Sequence, residues 1–282
     1  MFPTIELPED RLQNQLDATL RRASDAEHDN AYALMILGGR CGSVFVPAVQ
    51  ALRDHPDVQV DDQARTLTVT ASTSGLDAAV ARIATSLDRA GYVPRWRNEL
   101  LDLWRDDDLS VAGVERGVVR PLGILTKAVH LNAWSRSGHL WVARRSLTKP
   151  TDPGMWDTLV GGLVGQGEDP GLALERESFE EAGLRPEDIA QKTPVRAIAI
   201  MRRRLPEGLQ REMVLTSECV LPADVKPENQ DGESMTIDCL APLAVLEMIE
   251  RGQFTVEASL VILEDLMFRA TGKRANLGSI AA

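Results

Sequence analysis

Short apolar segments separated by glycines and polar residues fill the first third of the chain. Three glycines within 38–42 lie between two apolar runs, an arrangement that predicts a hairpin of strands. Apolar positions from Leu76 to Leu87 recur at helical spacing, and Gly91 follows them. The pattern predicts a small α/β unit with helices within 11–28, at 47–53 and at 75–90, and strands at 32–37, 44–46 and 66–70.

A polar segment at 105–117, which contains Asp106, Asp107 and Asp108, separates this unit from the rest of the chain. We therefore expect a smaller N-terminal α/β domain at 1–117 and a second domain at 118–282. Apolar runs in the second part predict strands at 128–131, 140–143, 195–201 and 213–220, with a last helix at 258–269. Strands, a middle helix and further strands are typical of an α/β/α sandwich with a mixed sheet.

The middle helix belongs to the segment GLVGQGEDPGLALERESFEEAGL at 162–184. Asp169 is suited to cap the helix, and Pro170 fits its first turn because no hydrogen bond is lost there. Gly183 supplies the left-handed residue that ends a helix. This segment therefore predicts a glycine-rich loop, a short helix and a second turn.

The predicted helix has two chemically different faces. At about 100° per residue, the apolar face is expected to contain Leu172, Leu174, Phe179 and Ala182, with Ser178 near its middle. Glu177, Glu180 and Glu181 fall on the other face beside Arg176, where like charges repel one another. A hard cation such as Mg²⁺ or Mn²⁺ removes that repulsion, bridges phosphate oxygens and activates a bound water. The alternative interpretation is a solvated acidic face.

The same segment resembles the Nudix box, G-x5-E-x7-R-E-U-x-E-E-x-G-U, in which U is a bulky apolar residue. Ser178 departs from it at the first U position. The resemblance implies a Nudix fold and metal-dependent cleavage of a diphosphate bond, with Arg176 orienting a glutamate and Glu168 bracing the loop. The implied metal ligands are Glu177, Glu180, Glu181 and the Gly161 carbonyl. The matching residues are Gly162, Glu168, Arg176, Glu177, Glu180, Glu181, Gly183 and Leu184.

The segment just before the box, 140–162, resembles a Nudix subgroup that carries R-S-x-x-K. This likeness implies that Arg145 and Lys149 bind substrate phosphate, with Arg144 as a further candidate, and surface charge is the alternative for each. WRNEL at 96–100, HLNAW at 130–134 and PENQDGE at 227–233 resemble Nudix proteins related to the N-terminal part of fungal thiamine pyrophosphokinase. That resemblance implies thiamine diphosphate, or a damaged form of it, as the substrate.

Two further residues are candidate substrate contacts. All five tryptophans lie within 96–156, and an aromatic wall would suit a thiamine ring or a nucleobase. Trp156 is therefore a candidate, with core packing as the alternative. Glu233 is a candidate contact, metal ligand or base, with an exposed turn acid as the alternative.

Charge and composition narrow the range of functions. A net charge of −11, from 31 basic and 42 acidic residues, disfavours nucleic acid as a partner, although a bound cation inverts the local potential. The three cysteines form no CxxC pair and the four histidines no HxxxH motif, which argues against zinc and against a disulfide framework. The early apolar stretch is too short to cross a membrane and no secretory signal is visible, so we expect a cytoplasmic location.

Three functional hypotheses follow for a small-molecule partner. The chain is a hydrolase of a small organic diphosphate, a pyrophosphatase of a nucleoside diphosphate derivative such as ADP-ribose, or a non-catalytic module that senses such a ligand. Retention of all four box glutamates and Arg176 favours an enzyme. An isopentenyl-diphosphate isomerase is disfavoured because those enzymes use a catalytic cysteine, and none lies near these strands. The sequence does not indicate an oligomeric state.

Overall fold

The computed structural model describes residues 4–24, 31–275 and 277. Six α-helices and thirteen strands are formed by these residues. The helices are α1 (Glu9–Ala23), α2 (Val46–Leu52), α3 (Leu76–Arg89), α4 (Pro170–Ala182), α5 (Pro242–Glu250) and α6 (Val256–Thr271). The strands are β1 (Tyr32–Ile36), β2 (Gly39–Val44), β3 (Val58–Asp61), β4 (Thr66–Val69), β5 (Leu100–Trp104), β6 (Ser110–Glu115), β7 (Leu125–Trp134), β8 (Leu140–Arg145), β9 (Trp156–Thr158), β10 (Val160–Leu163), β11 (Arg196–Leu205), β12 (Gly208–Val220) and β13 (Ser234–Leu240).

A four-stranded sheet in the order β2-β1-β4-β3 forms the N-terminal unit. Its apolar residues pack with those of α2 and α3, so the predicted small α/β unit is confirmed. The second strand of the predicted hairpin was placed wrongly at 44–46. It ends at Val44, because helix α2 begins at Val46 and Pro47 fits the first turn of that helix.

Helix α1 does not share the apolar cluster of this sheet and packs against α6, near the other end of the chain. Leu12, Leu16 and Ala23 are buried in the same apolar cluster as Leu263 and Met267. The helix was predicted within 11–28, and residues 25–28 lie outside the described residues. The first and last helices therefore stabilise each other.

A seven-stranded mixed sheet forms the larger unit. Five strands follow the order β11-β12-β7-β8-β13, with β10 paired to β7 and β9 paired to β8. Strands β12 and β7 are parallel, and the other pairs are antiparallel. Three of the four strands predicted in this part lie within β7, β8 and β12, and the one at 195–201 begins one residue before β11.

The two faces of this sheet bury different helices, as the alternation of side chains along a strand requires. Val129 and Leu131 of β7 pack with Leu174 of α4 on one face. Trp134, also on β7, packs on the opposite face with α6, for example with Leu260. The predicted α/β/α sandwich with a mixed sheet is therefore confirmed.

The polar segment at 105–117 is partly structured. Strands β5 and β6 form an antiparallel pair across it, and Ala112 and Val114 are buried. The apolar cluster around the N-terminal sheet runs from Leu34 to Ile124. The division of the chain at residue 117 stays a prediction.

Within the described part of the chain, no helix combines the length and apolarity needed to cross a bilayer.

Candidate functional site

Helix α4, which carries the glutamates, begins and ends at the predicted residues. Asp169 Oδ1 accepts hydrogen bonds from the backbone N–H groups of Gly171, at 2.8 Å, and Leu172, at 3.3 Å. Pro170 is the first helical residue. Gly183 ends the helix with a φ of +66°, which favours glycine. Both ends of the helix are therefore determined by local sequence.

The faces of α4 differ from the prediction. Leu172 and Phe179 were expected on the buried side, but they are 61% and 56% exposed. Glu177 and Glu181 instead continue the helical row of buried Ala173, at intervals of four residues. That row lies next to the buried row of Leu174, Ser178 and Ala182. The helix therefore turns two carboxylates toward the protein and two large apolar side chains toward solvent.

Gly162 on β10 makes room for the first of these carboxylates. A Cβ atom at Gly162 would overlap the carboxyl group of Glu177. Burial raises the pKa of Glu177, although Arg176 Nη1 donates to its Oε1 at 2.7 Å and opposes that effect. A glycine at this position therefore allows the helix to approach the strand with a glutamate between them.

Glu181 lies one turn farther along α4, beside the neighbouring glycine of β10. The Gly161 N–H donates to Glu181 Oε2 at 2.8 Å. Burial raises the pKa of Glu181 to about 8, the charge of Glu177 adds to this rise, and the Lys149 ammonium opposes it. A buried carboxylate of this kind is stabilised in its charged form by a cation.

Arg176 connects the helix to the loop that precedes it. Its guanidinium donates two hydrogen bonds to Glu168, at 2.8 and 2.9 Å, and a longer one of 3.2 Å to Glu180. Glu168 also accepts from the Gly165 N–H at 2.9 Å. The Arg176 guanidinium lowers the pKa of Glu168, which stays charged. These contacts hold the glycine-rich loop against the helix.

Three carboxylates from two separate segments meet beside this helix. The ligand oxygens of Glu181, Asp231 and Glu233 all lie within 4.8 Å of one another, and Lys149 Nζ forms an ion pair with Glu233. Among the described residues, Glu177 and Glu180 do not belong to such a group. An all-oxygen set of this kind fits a hard divalent cation such as Mg²⁺ or Mn²⁺.

A cavity of about 430 Å³ adjoins this acidic group. Asp231, Glu233 and Lys149 line one part of it, together with Gly161 and Gly162. Further walls are formed by residues of β7 and β12, by the start of α6, and by residues within 94–97, 116–120 and 148–152. The acidic group is therefore open to a small molecule.

The structure brings three of the five predicted substrate residues to this cavity. Lys149, Glu233 and Arg145 line it, although Arg145 Nη1 already donates to Asp157 Oδ2 at 2.8 Å. Arg144 is exposed outside the lining and donates to the Gly154 carbonyl. Trp156 also lies outside the lining, with its ring 6.4 Å from that of Phe254.

Five arginines that the sequence did not single out also line the cavity: Arg95, Arg97, Arg116, Arg120 and Arg211. Arg116 pairs with Glu99 at 2.7 Å, and Arg120 pairs with Glu207. Burial and the nearby arginines lower the pKa of Arg97. The motif WRNEL contains Arg97, so a signal was present, but the motif alone does not show that the segment reaches the second unit.

Asp231 and Glu212 were also missed. Asp231 lies two residues before Glu233 in the same turn, so the signal NQDGE contained it. Glu212 is buried on β12 at the cavity wall, and burial raises its pKa to about 7, helped by the charge of Glu257. Nothing in the local sequence of β12 shows which of its polar residues face a cavity.

Comparisons with known proteins relate the chain to one family. Residues 125–257 match the family described as NUDIX domain. Nudix hydrolase 20 of Arabidopsis thaliana, named as chloroplastic, is 34% identical over 68% of this chain and 52% of its own length. Nudix hydrolase 24 of the same plant, also named as chloroplastic, is 29% identical over 68% of this chain and 53% of its own.

A solved structure, that of DR0079 from Deinococcus radiodurans, covers 61% of this chain and 99% of its own. It is 24% identical, with a TM-score of 0.43. The chain spans about half the length of the two Arabidopsis relatives that it matches.

Proposed function

Because the chain belongs to the Nudix family, with its NUDIX domain at residues 125–257, we propose that it is a metal-dependent hydrolase of a small organic diphosphate. The observation that carries this proposal is the group of Glu181, Asp231 and Glu233 beside a cavity. In the proposed reaction, water attacks a phosphorus atom, one P–O–P bond breaks, and a monophosphate and a second phosphate product are released.

The three grouped carboxylates are the proposed ligands of Mg²⁺ or Mn²⁺. Such an ion, when bound, neutralises charge on the diphosphate and lowers the pKa of water. Glu177 and Glu180 lie on the same helix and remain candidate ligands or bases, as does the Gly161 carbonyl. Arg176 is a positioning residue in this proposal, because it holds Glu168, Glu177 and Glu180 together.

Positive side chains around the cavity are the proposed phosphate contacts. Lys149 lies at the acidic group, and Arg116 lines the same cavity. Arg95 and Arg97 also line this cavity. Guanidinium groups bind phosphate oxygens in pairs of hydrogen bonds. We therefore propose that the N-terminal domain, 1–117, completes the phosphate site.

Within this reaction class, we propose thiamine diphosphate or a damaged derivative of it as the substrate. A cavity of about 430 Å³ with polar walls suits a small molecule that combines a diphosphate with a nitrogen heterocycle. A nucleoside diphosphate derivative such as ADP-ribose is the alternative. A cytoplasmic location is also part of the proposal, and cell fractionation tests it.

A panel of diphosphates, assayed for monophosphate release with and without Mg²⁺, tests the proposal. We expect metal-dependent turnover by the wild-type chain and a loss of at least about a hundredfold in Glu181→Gln. Glu175→Gln is the matched control, since Glu175 lies on the same helix and pairs with Lys192 at 2.7 Å. Ligand binding without hydrolysis under any divalent metal would instead support a sensing module.

A further inference from the structure

Three side chains that line the cavity carry buried atoms without a hydrogen-bond partner. They are His130 on β7, Gln210 on β12 and Glu257 in the first turn of α6, each at least nine-tenths buried. Within the described residues, His130 Nε2, Gln210 Oε1 and Glu257 Oε2 accept and donate no hydrogen bond. Buried polar atoms are normally hydrogen-bonded. Whether each unpartnered atom is a donor or an acceptor therefore indicates the complementary group that a ligand would supply.

The hydrogen bonds of Thr158 determine which nitrogen of His130 carries the proton. Thr158 Oγ1 lies 2.8 Å from the Val160 carbonyl oxygen and 3.0 Å from His130 Nδ1. A carbonyl oxygen only accepts, so the single hydroxyl hydrogen of Thr158 is donated to Val160. His130 Nδ1 must then donate to Thr158, and Nε2 of the neutral ring is an acceptor.

The orientation of the Gln210 side-chain amide also follows from its hydrogen bond. Its Nε2 donates to Glu257 Oε1 at 2.8 Å, and a carboxylate only accepts, so Gln210 Oε1 is the end left without a partner. The other oxygen of Glu257, Oε2, has only a long ion pair of 3.6 Å with Arg203, whose guanidinium also bonds Asp152. All three unpartnered atoms are therefore acceptors.

These acceptors extend away from the acidic group along the sheet. His130 pairs with Gly161, whose N–H is bonded to Glu181, so the His130 end adjoins the proposed metal ligands. Glu212 lies two residues after Gln210 on β12 and pairs with Thr126 of β7. Thr126 lies four residues before His130 on the same strand. Four residues of strand span about 13 Å. A diphosphate held at the His130 end would therefore direct its organic group toward Gln210 and Glu257.

We infer that Gln210 and Glu257 are the specificity-determining residues for this organic group, and that they select a nitrogen heterocycle that donates hydrogen bonds, such as an amino-substituted pyrimidine. This inference rests on the proposed function. A diphosphate with an organic group that lacks donors leaves Gln210 Oε1 unpaired and Glu257 Oε2 with only its long ion pair, and buried acceptors without hydrogen bonds disfavour binding. An amino group or a protonated ring nitrogen supplies the missing donors.

Steady-state kinetics with thiamine diphosphate and isopentenyl diphosphate test this inference, since the hydrocarbon chain of the second compound has no donor. We expect the wild-type chain to prefer thiamine diphosphate in kcat/KM. Glu257→Gln replaces one acceptor oxygen by a donor of the same size, and Gln210→Leu removes the amide. Each variant should raise KM for thiamine diphosphate at least about tenfold and change kcat/KM for isopentenyl diphosphate less than about threefold.

Glu264→Gln is the matched control, because Glu264 is another buried carboxylate of α6 and lies outside the cavity lining. It should leave KM for thiamine diphosphate unchanged, and circular dichroism of each variant checks that the fold is retained. An equal preference for the two compounds, or a change in KM as large in Glu264→Gln, would overturn the inference while leaving the hydrolase proposal intact.

Calorimetry with thiamine monophosphate measures binding at this site independently of catalysis, because binding requires no hydrolysis. The wild-type chain should bind this compound at least about tenfold more tightly than Glu257→Gln does. Equal affinity would contradict the inference. If the wild-type chain hydrolyses no diphosphate but this difference in affinity is found, the hydrolase proposal fails and the specificity site stands.

Discussion

At the scale of single residues, the site depends on carboxylates that the fold buries. Glu177 and Glu181 reach inward from α4 at the positions of two adjacent glycines, Gly162 and Gly161. Glu212 is buried across the cavity beside Glu257. Burial raises the pKa of a carboxyl group because it disfavours the charged form. The cavity and its edge therefore contain buried acidic groups whose charged form a ligand or an ion can stabilise.

The buried carboxyl group of Glu212 is expected to make the free energy of unfolding depend on pH. Its folded-state pKa of about 7 exceeds the ordinary value of 4.5, so the free energy of unfolding falls as pH rises from about 4.5 to about 7. Glutamine cannot ionise, so Glu212→Gln should become more stable relative to wild type over this window, by up to about 3 kcal/mol. Urea unfolding of both proteins at pH 5 and pH 8 measures the difference.

The change in the free energy of unfolding between pH 5 and pH 8 is compared for the two proteins. An effect of the substitution on packing that is the same at both pH values therefore cancels. Glu257, Arg120, Gln210 and Thr126 all act on the Glu212 carboxyl group, and the substitution leaves each of them in place. A stability difference between variant and wild type that is the same at both pH values would show that Glu212 ionises normally in the folded chain.

At the scale of elements, the close contact between helix α4 and strand β10 sets the position of the glutamates. Gly162→Ala should push the Glu177 carboxyl group out of its place, because the added methyl would overlap it. We expect a loss of about 1–3 kcal/mol in the free energy of unfolding and a clear loss of diphosphate hydrolysis. Thermal unfolding and the phosphate-release assay measure the two effects.

Gly75→Ala is the control for Gly162→Ala, because the nearest atom to a Cβ at Gly75 is 3.9 Å away. It should leave both activity and stability close to wild type. If Gly162→Ala behaves in the same way as this control, the contact between α4 and β10 does not position Glu177.

The ends of α4 could be predicted from sequence, but its orientation could not. Asp169, Pro170 and Gly183 act locally, so their effect is visible in the sequence. The buried face depends on the glycines of β10, which allow carboxylates inside while Leu172 and Phe179 face solvent. Polarity alone predicts the opposite arrangement for these side chains, although it correctly places Leu174 and Ala182 inside. Strand β13 and helix α5 were not predicted, since their short apolar runs are ambiguous without the sheet.

At the scale of the whole molecule, residues distant in sequence build one cavity. The segment 95–120 supplies Arg95, Arg97, Arg116 and Arg120, and later parts of the chain supply the carboxylates and Lys149. The box residues could be found because their pattern resembles the Nudix box, whereas the position of these arginines and of Asp231 at the cavity required the fold. A chain with a net charge of −11 thus presents a local set of cations, which suits an anionic substrate.

Substitution of Arg97 tests whether the N-terminal part of the chain binds the phosphate of the substrate. Arg97→Ala should raise KM for the diphosphate substrate at least about tenfold with a smaller change in kcat, because a guanidinium that binds phosphate contributes mainly to binding. Steady-state kinetics at saturating Mg²⁺ measure both constants. Arg89→Ala, at the exposed end of α3, is the matched control and should have normal constants. Equal constants in the two variants would show that the N-terminal part does not bind phosphate.

Glu181, Asp231 and Glu233 are proposed to hold a divalent cation at the edge of the cavity. Diffraction from crystals soaked in Mn²⁺, collected where manganese scatters anomalously, shows whether an ion lies there. We expect an anomalous peak between these three carboxylates, with the Lys149 ammonium displaced from Glu233, and no peak in crystals of Asp231→Asn. Ordered carboxylates without a peak in the wild-type crystal, or the same peak in the variant, would show that this group does not bind the cation.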